Sequence, residues 1–362
     1  MARKEERKGA RKGVKKGAQK KEVKKEARKE VKKEAPKGAQ QGKLKLGLYW
    51  AASCGGCEIA IVELREKILD LDAAADILFW PVAVDIKYKD VEAMPDRHMD
   101  VCLFNGAIRT SENEHMAHLL RRKSKVLVAF GSCAHEGCIP GLANLFDRQS
   151  IFEYVYLKSP SRDNPTNAVP QTSYQMPEGE IHIPKFYNTV KTLRQVEDVD
   201  YFVPGCPPQA PQIWAVIEAI LAGNLPPKGS VVGANEKTVC DECKHERKEK
   251  RIKKFYRVHE IIPDSKECLF DQGIICAGPA TRGGCGALCT TVDIPCRGCY
   301  GPPPNVTDQG ASLLAAVASV VDADTEEEAA RIVGEIADPI GTFYRFSLPS
   351  SLLHRSKLEI RD

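Results

Sequence analysis

Cysteine is the residue that most restricts how this chain can fold. The sequence has 14 cysteines in 362 residues, and eight of them fall between positions 240 and 299. No run of 18 apolar residues occurs, and the first residues lack the apolar stretch of a secretory signal. We therefore expect no membrane span, a cytoplasmic location and reduced thiols. Closely spaced reduced cysteines are typical of metal ligands rather than of a disulfide framework.

Charge separates a short tail from the rest of the chain. Residues 1–43 hold 18 Lys and Arg against 6 Glu and contain no aromatic residue, whereas the whole chain has a formal net charge of only +4. Such a segment cannot bury enough apolar surface to offset the entropy lost on ordering. We predict a disordered basic tail over residues 1–43. Binding of the tail to an acidic protein or to nucleic acid is the alternative, which the missing aromatic residues disfavour, so no nucleic-acid partner is expected.

Short apolar runs alternate with helix-like stretches from residue 44 to residue 225. The strand candidates are residues 44–51, 76–85, 100–105, 125–130 and 200–203, and the helix candidates include 58–71, 112–122 and 212–222. This alternation predicts an α/β domain with a doubly wound parallel sheet. The proline-rich stretch 158–184 is expected to be a long excursion from that sheet.

The pattern changes after the Leu-Pro-Pro sequence at 225–227. Residues 226–310 have few strand-like runs and hold eight cysteines, so we predict a small irregular domain that its metals hold together. Residues 311–362 are expected to form C-terminal helices and a tail. In this C-terminal part, residues 310–321 are an apolar helix candidate and residues 325–337 an amphipathic helix candidate.

Three of the predicted strands run directly into cysteine-bearing turns. These turns read CGGC at 54–57, GSCA at 131–134 and PGCPP at 204–208. Because the carboxyl ends of parallel strands meet at one edge of a sheet, we expect their four cysteines to converge there. Four thiolates from three loops are a ligand set for a [4Fe–4S] cluster. A lone CxxC is also typical of a zinc knuckle or a redox dithiol. Here, however, three cysteine-bearing turns stand at strand ends, and together they favour the cluster.

The eight later cysteines make two further sets of four. Pairs separated by two or three residues suit ligands that share a cluster. Zinc accepts the same four thiolates, so a zinc-stabilised interaction protein is the alternative for this region taken alone. The residues are Cys240, Cys243, Cys268, Cys276, Cys285, Cys289, Cys296 and Cys299.

The motifs CGGC, GSCA and PGCPP, in this order, resemble the small subunit of [NiFe] hydrogenases. The resemblance covers roughly residues 44–310 and implies a flavodoxin-like sheet. A related subunit of the respiratory NADH dehydrogenase complex is a weaker match, because it uses adjacent cysteines at the first position and lacks a cysteine-rich second domain. The chain looks most like the cytoplasmic F420-non-reducing, methyl-viologen-reducing type, with the F420-reducing type as the alternative.

The resemblance implies three [4Fe–4S] clusters and a ligand set for each. The proximal cluster would be bound by Cys54, Cys57, Cys133 and Cys206. The distal cluster would be bound by Cys240, Cys243, Cys268 and Cys276, with Cys240 where exported relatives have a histidine. The medial cluster would be bound by Cys285, Cys289, Cys296 and Cys299. Relatives with a three-iron medial cluster carry a proline where this chain has Cys289. The division of the eight later cysteines between two clusters follows only their order.

The sequence also shows what the chain lacks. It contains no nickel-ligand motif, no G-x-G-x-x-G nucleotide fingerprint and no P-loop. Hydrogen cleavage is therefore expected on a separate [NiFe] hydrogenase large subunit, and this chain is not expected to be catalytic alone. The resemblance implies two further partners in methanogenesis: a small [2Fe–2S] electron-transfer subunit and the heterodisulfide reductase complex.

Three further residues near these motifs have their own expected roles. Cys102 lies inside a predicted strand and is expected to be a small buried hydrophobic residue. Cys138 follows Cys133 by five residues and could compete as a ligand, but we expect it not to be one. Glu58 follows Cys57 directly, and we expect a salt-bridged carboxylate at a helix start. A role for Glu58 beside the cluster or in proton handling is the alternative.

Overall fold

The structure is a computed structural model that describes residues 42–248 and 251–353. Residues 1–41, which are nearly all of the predicted basic tail, lie outside the described residues. Across the two described ranges, no helix combines the length and the apolar character that crossing a membrane requires.

The described secondary structure alternates strands and helices in its first half. The strands are β1 (Leu44–Trp50), β2 (Ala75–Phe79), β3 (Met99–Asn105), β4 (Ile108–Thr110), β5 (Ser124–Phe130), β6 (Ser173–Met176), β7 (Gly179–His182), β8 (Phe186–Lys191) and β9 (Tyr201–Val203). The helices are α1 (Gly56–Val62), α2 (Lys67–Ala74), α3 (Tyr88–Ala93), α4 (Ser111–Lys123), α5 (Ser132–Glu136), α6 (Cys138–Gly141), α7 (Arg148–Phe152), α8 (Ala210–Leu221), α9 (Leu288–Thr291), α10 (Gln309–Val320), α11 (Glu326–Gly334) and α12 (Pro339–Phe343).

Five strands form one parallel sheet in the order β2-β1-β3-β5-β9. Among its own strands this is the 2-1-3-4-5 order of flavodoxin-like folds, so the predicted α/β class is confirmed. Strands β3 and β5 read as nearly continuous apolar runs because helices cover both faces of the sheet. Because the strands are parallel, the carboxyl ends of β1, β5 and β9 lie at the same edge of the sheet.

Each face of the sheet has its own apolar core. One face is covered by α1, α2 and α8, and its buried residues include Leu46, Ile61, Leu71, Val128 and Ile213. The other face is covered by α3 and α4, and its buried residues include Tyr49, Val91, Phe104, Met116 and Phe202. Burial of such side chains stabilises a fold by about 1.5–3 kcal/mol each, which makes this double core the rigid support for the loops at the sheet edge.

Two of the predicted elements are wrong in extent. The helix predicted over 58–71 is two helices, α1 and α2, because Arg65 between them has a φ of 56° and a left-handed residue cannot continue an α-helix. The strand predicted over 76–85 ends at Phe79. Trp80 and Pro81 begin a turn there, in which the amides of Ala83 and Val84 bond the Trp80 carbonyl at 2.9 Å.

The cysteine-rich region is irregular, and helices from the chain end pack on it. Between residues 240 and 299 the described chain forms only short 3₁₀ turns and the four-residue helix α9. Its core joins residues of that region to α10, α11 and the segment after α12, and includes Val239, Phe270, Leu313, Ile332 and Leu348. In the excursion predicted for 158–184, strands β6 and β7 form an exposed hairpin outside the main sheet.

Candidate metal centres

Four thiols meet where β1, β5 and β9 end. Cys57 is buried in the first turn of α1, and its neighbours are the thiols of Cys133, Cys206 and Cys54. Burial raises the pKa of the Cys57 thiol, and negative charge on these three sulfurs raises it further. The strand-end cysteines that the sequence singles out are therefore brought together around one space.

Glycine makes that space possible. Gly131 has a φ of 84°, and a Cβ at this position would lie 2.4 Å from the Sγ of Cys57. The turn is held by the Gly131 amide, which donates to the Val203 carbonyl at 2.8 Å, and by the Ser132 amide, which donates to the Gly205 carbonyl at 2.8 Å. The β5 and β9 loops are thus tied to each other directly beneath Cys57.

A fifth thiol lies at the same place. Cys138 is fully buried, and its Sγ is 3.6 Å from the Sγ of Cys206, to which it donates a hydrogen bond. The neighbouring Cys133 and Cys206 thiols, together with burial, raise the pKa of Cys138, and the bond from Cys138 lowers the pKa of Cys206 to about 7. Cys102, by contrast, is buried within β3, as expected.

The first four cysteines of the later region form a second group. Burial, together with the thiols of Cys276, Cys268 and Cys243, raises the pKa of Cys240 to about 12. Gly278 stands against two of these sulfurs, since a Cβ there would lie 3.0 Å from the Sγ of Cys240 and 3.6 Å from that of Cys276. These contacts bring the four thiols into one neighbourhood.

The last four cysteines form a third group between the other two. Burial and charge on Cys206, Cys285 and Cys289 raise the pKa of Cys299 to about 12, against the opposing effect of a hydrogen bond from the Cys206 amide. Burial also raises the pKa of Cys296, which interacts with Cys299.

Contacts across the groups arrange them in a row. The Ser132 hydroxyl donates to the Cys299 carbonyl, which joins the first group to the third. The Cys296 amide donates to the Sγ of Cys276 at 3.2 Å, and the Ala277 amide donates to the Cys296 carbonyl at 2.9 Å, which joins the third group to the second. The group of Cys285, Cys289, Cys296 and Cys299 is therefore the middle one.

The donor chemistry of these groups fits iron–sulfur clusters. Each group offers four sulfurs, and several sulfurs accept backbone N–H bonds, which stabilise negative charge on a ligand sulfur. Such bonds reach Cys268, Cys276, Cys285, Cys296 and Cys299. Within residues 42–248 and 251–353, no three Cys, His, Asp or Glu side chains are arranged to hold one metal ion.

Glu58 differs from its prediction. Its carboxylate is buried and accepts hydrogen bonds from the Trp80 indole and, at 3.4 Å, from the Asn105 amide, both of which are neutral. Burial raises the pKa of Glu58, and these two hydrogen bonds oppose the rise. Among the described residues no cation pairs with Glu58, so the predicted salt bridge is wrong there, because α1 places this carboxylate against Trp80 and Asn105. No local sequence pattern signals Trp80 as its partner.

Known proteins resemble the chain over most of its length. The family described as NADH ubiquinone oxidoreductase, 20 Kd subunit, matches residues 54–220. An iron-sulfur subunit of the F420-non-reducing hydrogenase of Archaeoglobus profundus is 43% identical over 318 residues, which are 86% of this chain and 98% of that protein. The corresponding subunit of the F420-non-reducing hydrogenase of Methanothermobacter marburgensis is 36% identical over 318 residues, 86% of this chain and 96% of that protein.

A more distant relative extends the same pattern. The delta subunit of sulfhydrogenase 2 of Pyrococcus furiosus is 27% identical over 259 residues, 72% of this chain and 86% of that protein. These relatives are all hydrogenase subunits. The chain therefore belongs to the family of F420-non-reducing hydrogenase iron–sulfur subunits, and it is part of an oxidoreductase that acts on hydrogen.

Proposed function

We propose that the chain is the electron-transfer small subunit of a cytoplasmic [NiFe] hydrogenase and that it holds three [4Fe–4S] clusters. The observation that carries this proposal is the row of three four-thiol groups, joined through Cys299 and Cys296. The proximal ligands are Cys54, Cys57, Cys133 and Cys206. The medial ligands are Cys285, Cys289, Cys296 and Cys299, and the distal ligands are Cys240, Cys243, Cys268 and Cys276.

Bound clusters would supply one-electron redox chemistry at three adjacent places. The residues of the chain hold those places at fixed positions, bury the Cys57, Cys133, Cys276 and Cys296 thiols and direct N–H groups at several ligand sulfurs. A row of sites suits a subunit that moves electrons across its own width. Cys54 and Cys206 are exposed at one end of the row, Cys240 at the other and Cys289 in the middle group. The exposed ligands at the two ends suit electron entry and exit.

The partner at the proximal end is the [NiFe] hydrogenase large subunit, where hydrogen would be oxidised. Support comes from exposed apolar side chains beside the CGGC turn: Trp50 is 41% exposed, Ile59 62% and Val62 57%. Apolar groups of this kind are typical of a protein–protein interface. At the other end, a small [2Fe–2S] subunit would pass electrons on to the heterodisulfide reductase complex.

Metal analysis of the anaerobically purified chain tests the proposal. We expect a brown protein with a broad absorption band, about twelve iron atoms per chain and no stoichiometric zinc. Hydrogen-dependent dye reduction is expected only after the large subunit is added. A colourless zinc protein, or dye reduction by this chain free of nickel protein, would refute the proposal.

The medial site allows a more specific prediction. Cys289 lies in the first turn of α9, where proline is tolerated. Cys289→Pro is therefore expected to keep the fold but leave three cysteine ligands, which hold a [3Fe–4S] cluster. Electron paramagnetic resonance of the oxidised protein should be silent for wild type and should show a three-iron signal for the variant.

The exposed neighbour Val292 provides the control for this experiment, because Val292→Ala removes no sulfur and should give the silent wild-type spectrum. A stoichiometric three-iron signal in undamaged wild type would contradict the four-iron assignment. An unchanged spectrum in Cys289→Pro would contradict the assignment of Cys289 as a ligand.

A further inference from the structure

Cys138 is a fifth sulfur at a site that needs four. Its side chain is fully buried, and its Sγ lies 3.6 Å from the Sγ of Cys206, to which it donates a hydrogen bond. An S–H group is a weak donor and a sulfur atom a weak acceptor, so this geometry suits S–H···S hydrogen bonds. The inference below rests on the proposed function, in which Cys133 and Cys206 are proximal ligands.

The backbone at Cys138 is strained toward that geometry. Its φ of 49° is left-handed, a conformation that is unfavourable for a residue other than glycine. Gly137 before it has a φ of 91°, and the Cys138 amide donates to the Phe346 carbonyl at 3.0 Å. Such strain persists only where surrounding structure imposes it, and it concentrates at functional sites.

The C-terminal segment imposes this conformation. Phe346 packs with Cys133 and Cys138. Pro349 fills the space over Gly137 and Gly141, since a Cβ at either glycine would lie 2.3 Å from the Pro349 Cγ. Residues more than 200 positions later thus press the Cys138 turn against the proximal cysteines and keep water away from its thiol.

We propose that Cys138 is a non-ligand thiol whose S–H group donates a hydrogen bond to the proximal ligand sulfur of Cys206 and so raises the reduction potential of that site. A fifth thiolate in the same buried space would add an uncompensated charge beside four others, which favours the neutral thiol. Donors to ligand sulfurs stabilise the more negative, reduced state of a cluster more than its oxidised state. Cys138 would therefore be a positioning residue that acts on the site through Cys206.

A redox titration followed by electron paramagnetic resonance tests the proposal on the full chain with its clusters. In Cys138→Ala we expect one of the three midpoint potentials to become more negative while the iron content stays at the wild-type level. Cys138→Ser keeps a hydroxyl donor and should restore the potential toward the wild-type value. The control is Cys102→Ala, the same change at another fully buried cysteine, which should shift none of the three potentials.

Two results would overturn the proposal. Unchanged potentials in Cys138→Ala would show that the thiol has no effect on the site, and loss of one cluster's iron from the folded variant would show that Cys138 is a ligand. If Cys138→Ala does not fold, Cys138→Gly removes the same donor and relieves the left-handed backbone. The midpoint potential of the proximal site in Cys138→Gly then tests the proposal in the same way. Wild-type protein without iron would instead refute the proposed function, before any variant is compared.

Discussion

Gly131→Ala is expected to abolish the proximal site while leaving the medial and distal groups intact. A Cβ at this position would lie 2.4 Å from the Cys57 Sγ, well inside any real contact distance. The backbone, with φ 84° and ψ 162°, is also in a region that essentially only glycine adopts. Cys57 and the turn therefore cannot both keep their positions. The hydrogen bond from the Gly131 amide to the Val203 carbonyl resists movement of the turn.

Iron and sulfide analysis measures the result. With the three [4Fe–4S] clusters proposed above, losing one removes about a third of the iron, and the corresponding signal should vanish from the spectrum of the reduced protein. Gly334→Ala is the matched control, because no atom lies within 4 Å of its added Cβ and alanine favours the α11 helix. A full complement of iron in Gly131→Ala would contradict the role assigned to this glycine.

Asp200→Ala is expected to lower the free energy of unfolding by about 3 kcal/mol, the lower end for breaking a buried ion pair. The Asp200 side chain is 1% exposed, and it accepts hydrogen bonds from Arg121 at 2.7 Å, from the Leu127 amide at 2.8 Å and from Lys228. The carboxylate therefore ties α4 to β5 and β9. Arg121 retains backbone carbonyl acceptors after the change, which keeps the loss at the lower end.

Urea unfolding under anaerobic conditions measures this loss as a lower midpoint. Asp85→Ala is the control, because Asp85 pairs with Lys87 on an exposed surface and should leave the midpoint unchanged. Equal midpoints for wild type and Asp200→Ala would contradict the predicted stabilisation.

The lowered pKa of Asp200 predicts how the stability difference between wild type and Asp200→Ala depends on pH. Burial alone would raise the pKa of Asp200, but hydrogen bonds from Arg121, Lys228 and the Leu127 amide lower it overall. A carboxyl group whose pKa is lower in the folded state stabilises the protein fully above its unfolded pKa of about 3.9. The stability difference between wild type and Asp200→Ala should therefore be complete at neutral pH and shrink as the pH falls below about 4 and through the folded pKa.

The sequence alone was enough to predict the sheet and the convergence of its strand-end cysteines. Apolar runs separated by helical stretches are local patterns, and parallel strands bring their carboxyl ends to one edge whatever the remaining contacts are. The turns at 54–57, 131–134 and 204–208 could therefore be assigned to one place before the fold was known. Local patterns failed at two places. The left-handed residue Arg65 ends a helix that periodicity alone would continue, and the turn at Pro81 follows a strand that the apolar run would continue.

Only the tertiary structure decided which groups meet around those cysteines. The Ser132 hydroxyl and the Cys299 carbonyl are 167 positions apart, and their contact puts the medial group next to the proximal one. Trp80 reaches Glu58, and Phe346 fixes the backbone of Cys138. None of these pairs has a spacing that a sequence pattern could reveal, because the first and third depend on how later regions pack on the sheet domain and the second on how α1 packs against the turn after β2. Local chemistry thus predicted the ligand types, and long-range packing determined their neighbours.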